Sequence, residues 1–291
     1  MRNYVIVTDS DTEIPYTYAD AHQIPVFLMP YSVNGEERLF DLGRNTDFAA
    51  FYQQLRDGAE AVTSTRPPID IADFFREIVK DGTEVLYLCF SSALSGHYEL
   101  SQMARGMVLE EYPNARIEIV DTLKISMGAG LLVMAAQKLK EEGKTLDEVR
   151  DWVLENRNRA HAWFSVDDLN YLKKGGRLSG AAAAIGTILD VKPILRLNAE
   201  GKIVPADKVK GTRKILKFFL AVIQENVENP EQQTLYLMHA DNMDAALRMK
   251  EMIEESVPFA GIEIQDVGPV IGCHTGPGVL GVCFMGKEIT N

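Results

Sequence analysis

Val85-Leu-Tyr-Leu-Cys-Phe90, followed directly by Ser91-Ser-Ala-Leu-Ser-Gly96, decides the fold class of this chain. A short, uninterrupted apolar and aromatic run reads as a buried strand rather than a half-exposed one. The small hydroxyl cluster after it opens a helical pattern over Gly96–Tyr112. Buried strand, polar turn and helix together make one βα unit. The pattern recurs on both sides. Tyr4–Val7, Val26–Met29 and Ile117–Val120 read as strands, with helices over Asp47–Asp57, Ile69–Asp81 and Ser126–Gly143. Such alternation indicates a mostly parallel sheet, whose ligands gather outside the carboxyl ends of the strands. Three polar clusters fall there: Thr8-Asp-Ser10, Ser91-Ser92 with Ser95-Gly96, and Asp121-Thr122.

The texture changes after the amphipathic helix Thr145–Asn158. A Gly/Ala-rich helix is expected within Ala162–Leu195, then a hairpin (Pro193–Leu197 and Lys202–Lys208 about a turn at Asn198–Gly201). A helix (Thr212–Asn226), a strand (Thr234–His239) and a helix (Met243–Val257) complete the pattern. Hairpins and helices without strict alternation suggest α+β. The expected organisation is therefore a parallel α/β domain over residues 1–160 and an α+β domain with a mixed or antiparallel sheet over 161–291.

Composition narrows the function classes. The 291 residues are 46% hydrophobic and 25% charged, enough for one large domain or two of ordinary size. A net charge of −12 argues against nucleic acid and against an anionic membrane surface. The longest apolar runs, such as Ile125–Ala136, are too short to cross a bilayer, and the N-terminus enters a strand without a signal-peptide pattern. Three dispersed cysteines (Cys89, Cys273, Cys283) form no pairing framework, so a reducing cytoplasm fits best. The histidines lack metal-ligand spacing, so no metal is expected, and there is no phosphate-binding glycine motif.

Four segments could carry chemistry. Gly268-Pro-Val-Ile-Gly-Cys-His-Thr-Gly-Pro-Gly-Val-Leu-Gly281 interrupts a strand-like run with five glycines and two prolines. It reads either as a tight turn between buried strands or as a loop bringing amides, His274 and Thr275 onto a ligand. The other clusters, having the same character, favour the ligand. Thr63-Ser-Thr65 precedes Arg66-Pro67-Pro68 at a helix start, where an anion is favoured, although capping and turn chemistry account for that run taken alone. Ser95 before Gly96 stands where a nucleophile elbow would place its serine, but G-x-S-x-G is absent, and a hydrogen-bonding role needs less machinery. Arg177, between Gly175-Gly176 and the cap Ser179, could clamp a carboxylate or phosphate, or form a structural ion pair with an acid such as Asp167 or Asp168. The bare Ala181–Ala184 run after it would let another chain or an apolar ligand approach closely.

In order along the chain, Thr8-Asp-Ser10, the hydroxyls before Pro67, Ser92-Ala-Leu-Ser-Gly96, Asp121–Gly128, Leu172-Lys-Lys-Gly-Gly-Arg177, Val191-Lys-Pro-Ile-Leu195 and Ile271–Leu280 resemble the DegV family of bacterial fatty-acid-binding proteins. Each motif is weak alone; seven in this order over nearly the whole length are specific. The resemblance implies a single long-chain fatty acid buried between two domains, its carboxylate held by Thr63, Ser64 or Thr65 and by Ser95-Gly96, with His274-Thr275 close by. Arg177 would serve the head group or a partner. It further implies a carrier without catalysis or cofactor, presenting the carboxylate to an ATP-dependent fatty acid kinase subunit for acyl-phosphate formation. The competing reading is a hydrolase or transferase using Ser95 or Thr63 as nucleophile on an acyl or phosphoryl substrate. Three positions depart from the family pattern: Arg66 in place of Gln, His97 in place of Thr, and Lys210 where an Arg is frequent, with Arg213 nearby. His97 would put a titratable group beside the head-group serine.

Overall fold

The computed structural model describes residues 3–178 and 191–290. The predicted cap at Ser179 and the Ala181–Ala184 run lie outside the described residues.

The first part of the chain builds two sheets. Strand β1 (Tyr4–Asp9) is followed by helix α1 (Tyr16–Ala21), β2 (Val26–Phe27), the pair β3 (Pro30–Val33) and β4 (Glu36–Leu39), and α2 (Phe48–Arg56). Then come β5 (Ala61–Thr63), α3 (Pro68–Val79), β6 (Glu84–Cys89), α4 (His97–Glu111), β7 (Ile117–Asp121), α5 (Met127–Glu141) and α6 (Leu146–Asn156). β2, β1, β6 and β7 pair side by side in that order, every pair parallel. All six residues of β6 are buried, which explains the unbroken apolar run that follows Glu84. β4, β3 and β5 form a small antiparallel sheet that the sequence reading did not anticipate. Its outer strand, Glu36-Glu-Arg-Leu39, is fully exposed and so carries no apolar pattern.

The remainder forms one larger sheet. Its elements are β8 (Ala160–Ser165), α7 (Leu169–Lys174), β9 (Val191–Leu197), β10 (Ile203–Lys210), α8 (Thr212–Asn226), β11 (Thr234–His239), α9 (Met243–Glu254), β12 (Gly261–Asp266), α10 (Pro269–Thr275) and β13 (Leu280–Met285). The strand order is β10-β9-β8-β13-β11-β12, antiparallel throughout except for β11 with β12. The hairpin β9–β10 turns at Asn198–Gly201 as expected, and Ser91 Oγ donates to the Gly201 carbonyl at 3.0 Å. α8 and α9 cover one face through a core that includes Phe219, Ile223, Leu237 and Phe284.

The Gly/Ala-rich part of the helix expected within Ala162–Leu195 lies outside the described residues. Ala162–Ser165 itself ends strand β8, whose Trp163 and Phe164 pair across to Val282 and Gly281. One expectation fails: Gly268–Gly281 is neither two strands nor a loop throughout. Pro269 takes the first position of a helix, Gly272 N–H donates to Gly268 C=O, and Gly276, at φ +69°, ends it. The helix is pressed so tightly on α2 that a Cβ on Gly272 would lie 2.7 Å from the Phe51 ring.

Helix α5 touches both large sheets and is built for it. Nine of its residues are buried, among them Gly128, Ala129 and Gly130. A Cβ on Gly128 would sit 3.0 Å from that of Ala162 in β8. One continuous apolar cluster consequently runs from β1 and β6 through α5 to β8, β11 and β13.

Candidate functional site

Between the two large sheets lies a cavity of about 350 Å³, within the range of small-molecule clefts (roughly 300–1,000 Å³). Its apolar wall takes Phe90 from the first half, and Phe164, Leu197, Ile203, Met238 and Val279 from the second. Thr63, Ser64, Thr65, Ser95, Arg177, His274 and Thr275 all line it, so residues from four separate segments meet there. Gly96 is not on the lining; it caps α4 beside Ser95.

The polar groups are contiguous. Thr63 Oγ1 lies 2.8 Å from His274 Nε2. His274 packs on Gly175, where a Cβ would fall 2.2 Å from Nδ1. Arg177 Nη1 donates to the Gly175 carbonyl, and Nε donates to Leu94 C=O at 3.0 Å, next to Ser95. Ser95 Oγ accepts the His97 N–H at 3.2 Å, which leaves its own proton free to donate into the cavity. The Thr275 hydroxyl is already committed to Ile271 C=O at 3.1 Å.

Arg177 pairs with neither Asp167 nor Asp168: Asp167 holds Lys192 at 2.8 Å, and Asp168 caps α7. Arg177 lines the cavity, where burial lowers its pKa and the nearby Asp11 carboxyl opposes that lowering. Burial, with Arg177 adding to it, pushes His274 down to about 4, so this imidazole is neutral at neutral pH. Arg66 stays out of the site chemistry; it pairs with Asp70 at 3.0 Å and lies over the Phe27 ring.

His97 corrects the sequence reading. Its side chain turns into the core, between Phe27 and Phe90 with ring centroids 5.6 Å from each. Burial pushes its pKa down to about 4. With Asp9 and Cys89 it forms the one group of possible metal ligands found among the described residues. The Tyr87 hydroxyl joins two of the three, His97 Nε2 at 2.7 Å and Asp9 Oδ2 at 3.2 Å. That is a buried hydrogen-bond cluster about a phenol, and the cavity does not reach it.

Two polar cavity residues escaped the sequence reading. Asp11 follows β1 and Ser126 precedes α5; Ser126 N–H donates to the Asp11 carbonyl at 2.8 Å. Ser126 adopts φ +55°, unusual for a residue with a Cβ, and its hydroxyl donates to Glu13. The signal for both was their place at the carboxyl-end loops of the parallel sheet.

The cavity supports binding better than covalent chemistry. Thr63 and His274 stand at the distance of a nucleophile and base, but His274 Nδ1 finds no acceptor among the described residues to complete a triad. A second cleft, about 600 Å³, opens beside the start of α2. Asp47, Asp241, Asp244 and Asp266 line it, and such a surface repels anions. No helix among the described residues is long and apolar enough to cross a membrane.

Comparison with known proteins agrees with this architecture. The sequence model described as "Uncharacterised protein, DegV family" matches residues 3–287. A DegV domain-containing protein of Clostridium perfringens is 40% identical, covering 98% of this chain and 98% of its own. Among solved structures, a DegV family protein from Thermus thermophilus, described by its fatty acid binding, superposes with TM-score 0.86 at 29% identity, over 99% of this chain and 100% of that one. DegV of Bacillus subtilis, described as a fatty acid binding protein, gives TM-score 0.83 at 26% identity over the same shares. With a full-length family match, and a relative of this identity over almost its whole length, the chain belongs to the DegV family.

Proposed function

We propose that the cavity binds one long-chain fatty acid, its carboxylate among Ser95, the Thr63-Ser64-Thr65 run, His274 and Arg177, and its acyl chain along the apolar wall. The observation that carries this reading is the contiguity of the polar groups in a cavity that is otherwise apolar. The fatty acid binding of the T. thermophilus and B. subtilis relatives supports it.

The physical chemistry is consistent. Burying about fourteen methylenes at ~0.8 kcal/mol each contributes roughly 10 kcal/mol. A hydroxyl donor to a carboxylate adds about 1–2 kcal/mol. The tail sets affinity and the polar group sets orientation. In this proposal residues 1–160 and 161–291 act as two units closing on the chain. The protein serves as a non-catalytic cytoplasmic carrier that presents the carboxylate to an ATP-dependent kinase subunit.

The test is native mass spectrometry of protein purified from bacteria, with lipid analysis of the solvent extract. One fatty acid per chain is the expected result; empty protein that also refuses added palmitate and oleate overturns it. The Thr63–His274 pair keeps hydrolysis as a second reading, which ester cleavage abolished by Thr63→Val would support.

A further inference from the structure

Asp11 is at odds with a cavity for a carboxylate. It lines that cavity, is only 4% exposed, and its Oδ1 has no hydrogen-bond partner among the described residues. An ionised Asp11 and an anionic head group would repel each other across a low-dielectric space, and two carboxylates in one site cannot both ionise freely.

The groups facing Asp11 are of both kinds. On its own segment Asp9 and Glu13 are buried acids that favour the protonated form. From the loop after α7, Arg177 favours the ionised form. The Cys89 thiol on β6 and the Cys273 thiol on α10 both feel the Asp11 charge and are held neutral by burial. From the start of α5, the Ser126 N–H donates to its backbone carbonyl. His274, neutral, shares Arg177 as neighbour. Arg177 is thus the one cation on the described lining, and both Asp11 and an incoming carboxylate claim it.

Resting on the fatty-acid reading, we infer that Asp11 is a ligand-facing carboxyl that takes up one proton when the anionic head group binds, so that acidification favours loading and alkalinisation favours release. The proton comes from solvent and stays on the Asp11 carboxyl, whose O–H then becomes a donor instead of a second negative charge. Burial, Asp9 and Glu13 already push this carboxyl well up, which keeps the cost of protonation small. The sign follows: affinity is full below the pKa of Asp11 in the free protein and falls as pH rises through it, by up to about tenfold per pH unit.

The experiment titrates delipidated protein with dodecanoate and with 1-dodecanol between pH 6 and 9.5. Dodecanoate stays ionised in this range and dodecanol has no charge. Wild type should lose at least tenfold in dodecanoate affinity toward alkaline pH while dodecanol affinity stays level. Asp11→Asn, which mimics the protonated form, should bind dodecanoate within about threefold of wild type at pH 6 and show no pH dependence; Asp11→Ser replaces it if that variant folds poorly. A level wild-type profile, or parallel profiles for wild type and variant, overturns the inference. So does an equal alkaline loss for dodecanol, which would mark a change of the whole cavity. If dodecanoate binds at no pH to either protein, the carrier reading itself has failed, a distinct outcome.

Discussion

Glu13 and Gly268, 255 residues apart, are joined by a hydrogen bond from the Gly268 N–H to Glu13 Oε1. The other oxygen, Oε2, accepts from the Ser126 hydroxyl, and the Glu13 carbonyl accepts from Gln265 Nε2. One buried side chain therefore ties the loop after β1 to the entrance of α5 and to the start of α10. Helix α10 carries His274, so the geometry of the polar cluster depends on a residue outside the cavity lining.

Removing this tie should be costly. Glu13→Ala leaves the Gly268 N–H and the Ser126 hydroxyl without their acceptor, and stability should fall by about 2–4 kcal/mol in urea unfolding. Glu13→Gln should lose less, because its amide oxygen can still accept from Gly268.

The same residue has a pH signature. Burial lifts Glu13 to about 7, against the bonds from Ser126 and Gly268 that lower it. A folded-state pKa above the unfolded value contributes stability that is full below about pH 4.5 and lost as pH rises through 7. Burial pushes His97, His161 and His274 the other way, each down to about 4, so their contribution is full above about pH 6.5 and lost on acidification. In wild type the two trends oppose each other. Glu13→Gln removes one acid-stabilising group and should steepen the loss of stability between pH 7 and 4, by up to about 3 kcal/mol. Urea midpoints across that range decide it; an unchanged slope would mean that Glu13 is ionised in the fold at ordinary cost.

Gly175 and Gly176 make a matched pair. Gly175 has helical φ and ψ, so alanine is unstrained there, but its Cβ would collide with His274 Nδ1. Gly176 has open space around its Cβ position but φ +71°. Gly175→Ala should displace the imidazole from Thr63 and weaken fatty-acid binding at least tenfold. Gly176→Ala should cost about 1 kcal/mol of stability and leave affinity nearly unchanged. Equal affinity in both variants would show that His274 does not contribute to the site.

What the sequence revealed follows from how locally each feature is determined. Helix Thr212–Asn226 and strand Thr234–His239 have the bounds expected of them, because an amphipathic period and a buried apolar run are properties of the segment alone. Val270-Ile-Gly-Cys273 prefers a strand locally, yet Pro269 and close packing on Phe51 and Tyr52 make it a helix. Ser95, Thr63 and His274 were legible as polar residues among turn formers. Asp11 looked like an ordinary loop residue and Ser126 like the start of a helix, since only the fold brings the end of β1 and the start of α5 onto one cavity. His97 was misjudged for the same reason: nothing local says that its ring turns toward Tyr87.

Ser95 and the acyl chain can be weighed against each other. If Ser95 donates one hydrogen bond to the carboxylate, Ser95→Ala should weaken binding by about 1–2 kcal/mol, roughly 5- to 30-fold. Shortening the ligand by two methylenes removes about 1.6 kcal/mol, a loss of similar size. Wild type with tetradecanoate and Ser95→Ala with hexadecanoate should therefore have comparable affinities. The two losses should also add in Ser95→Ala with tetradecanoate, because a tail buried on the apolar wall and a hydroxyl at the polar cluster act at separate places. Isothermal titration of the four combinations checks both points. A loss beyond about a thousandfold on Ser95→Ala alone, about 4 kcal/mol, would exceed a single hydrogen bond to a carboxylate and assign the serine a different role.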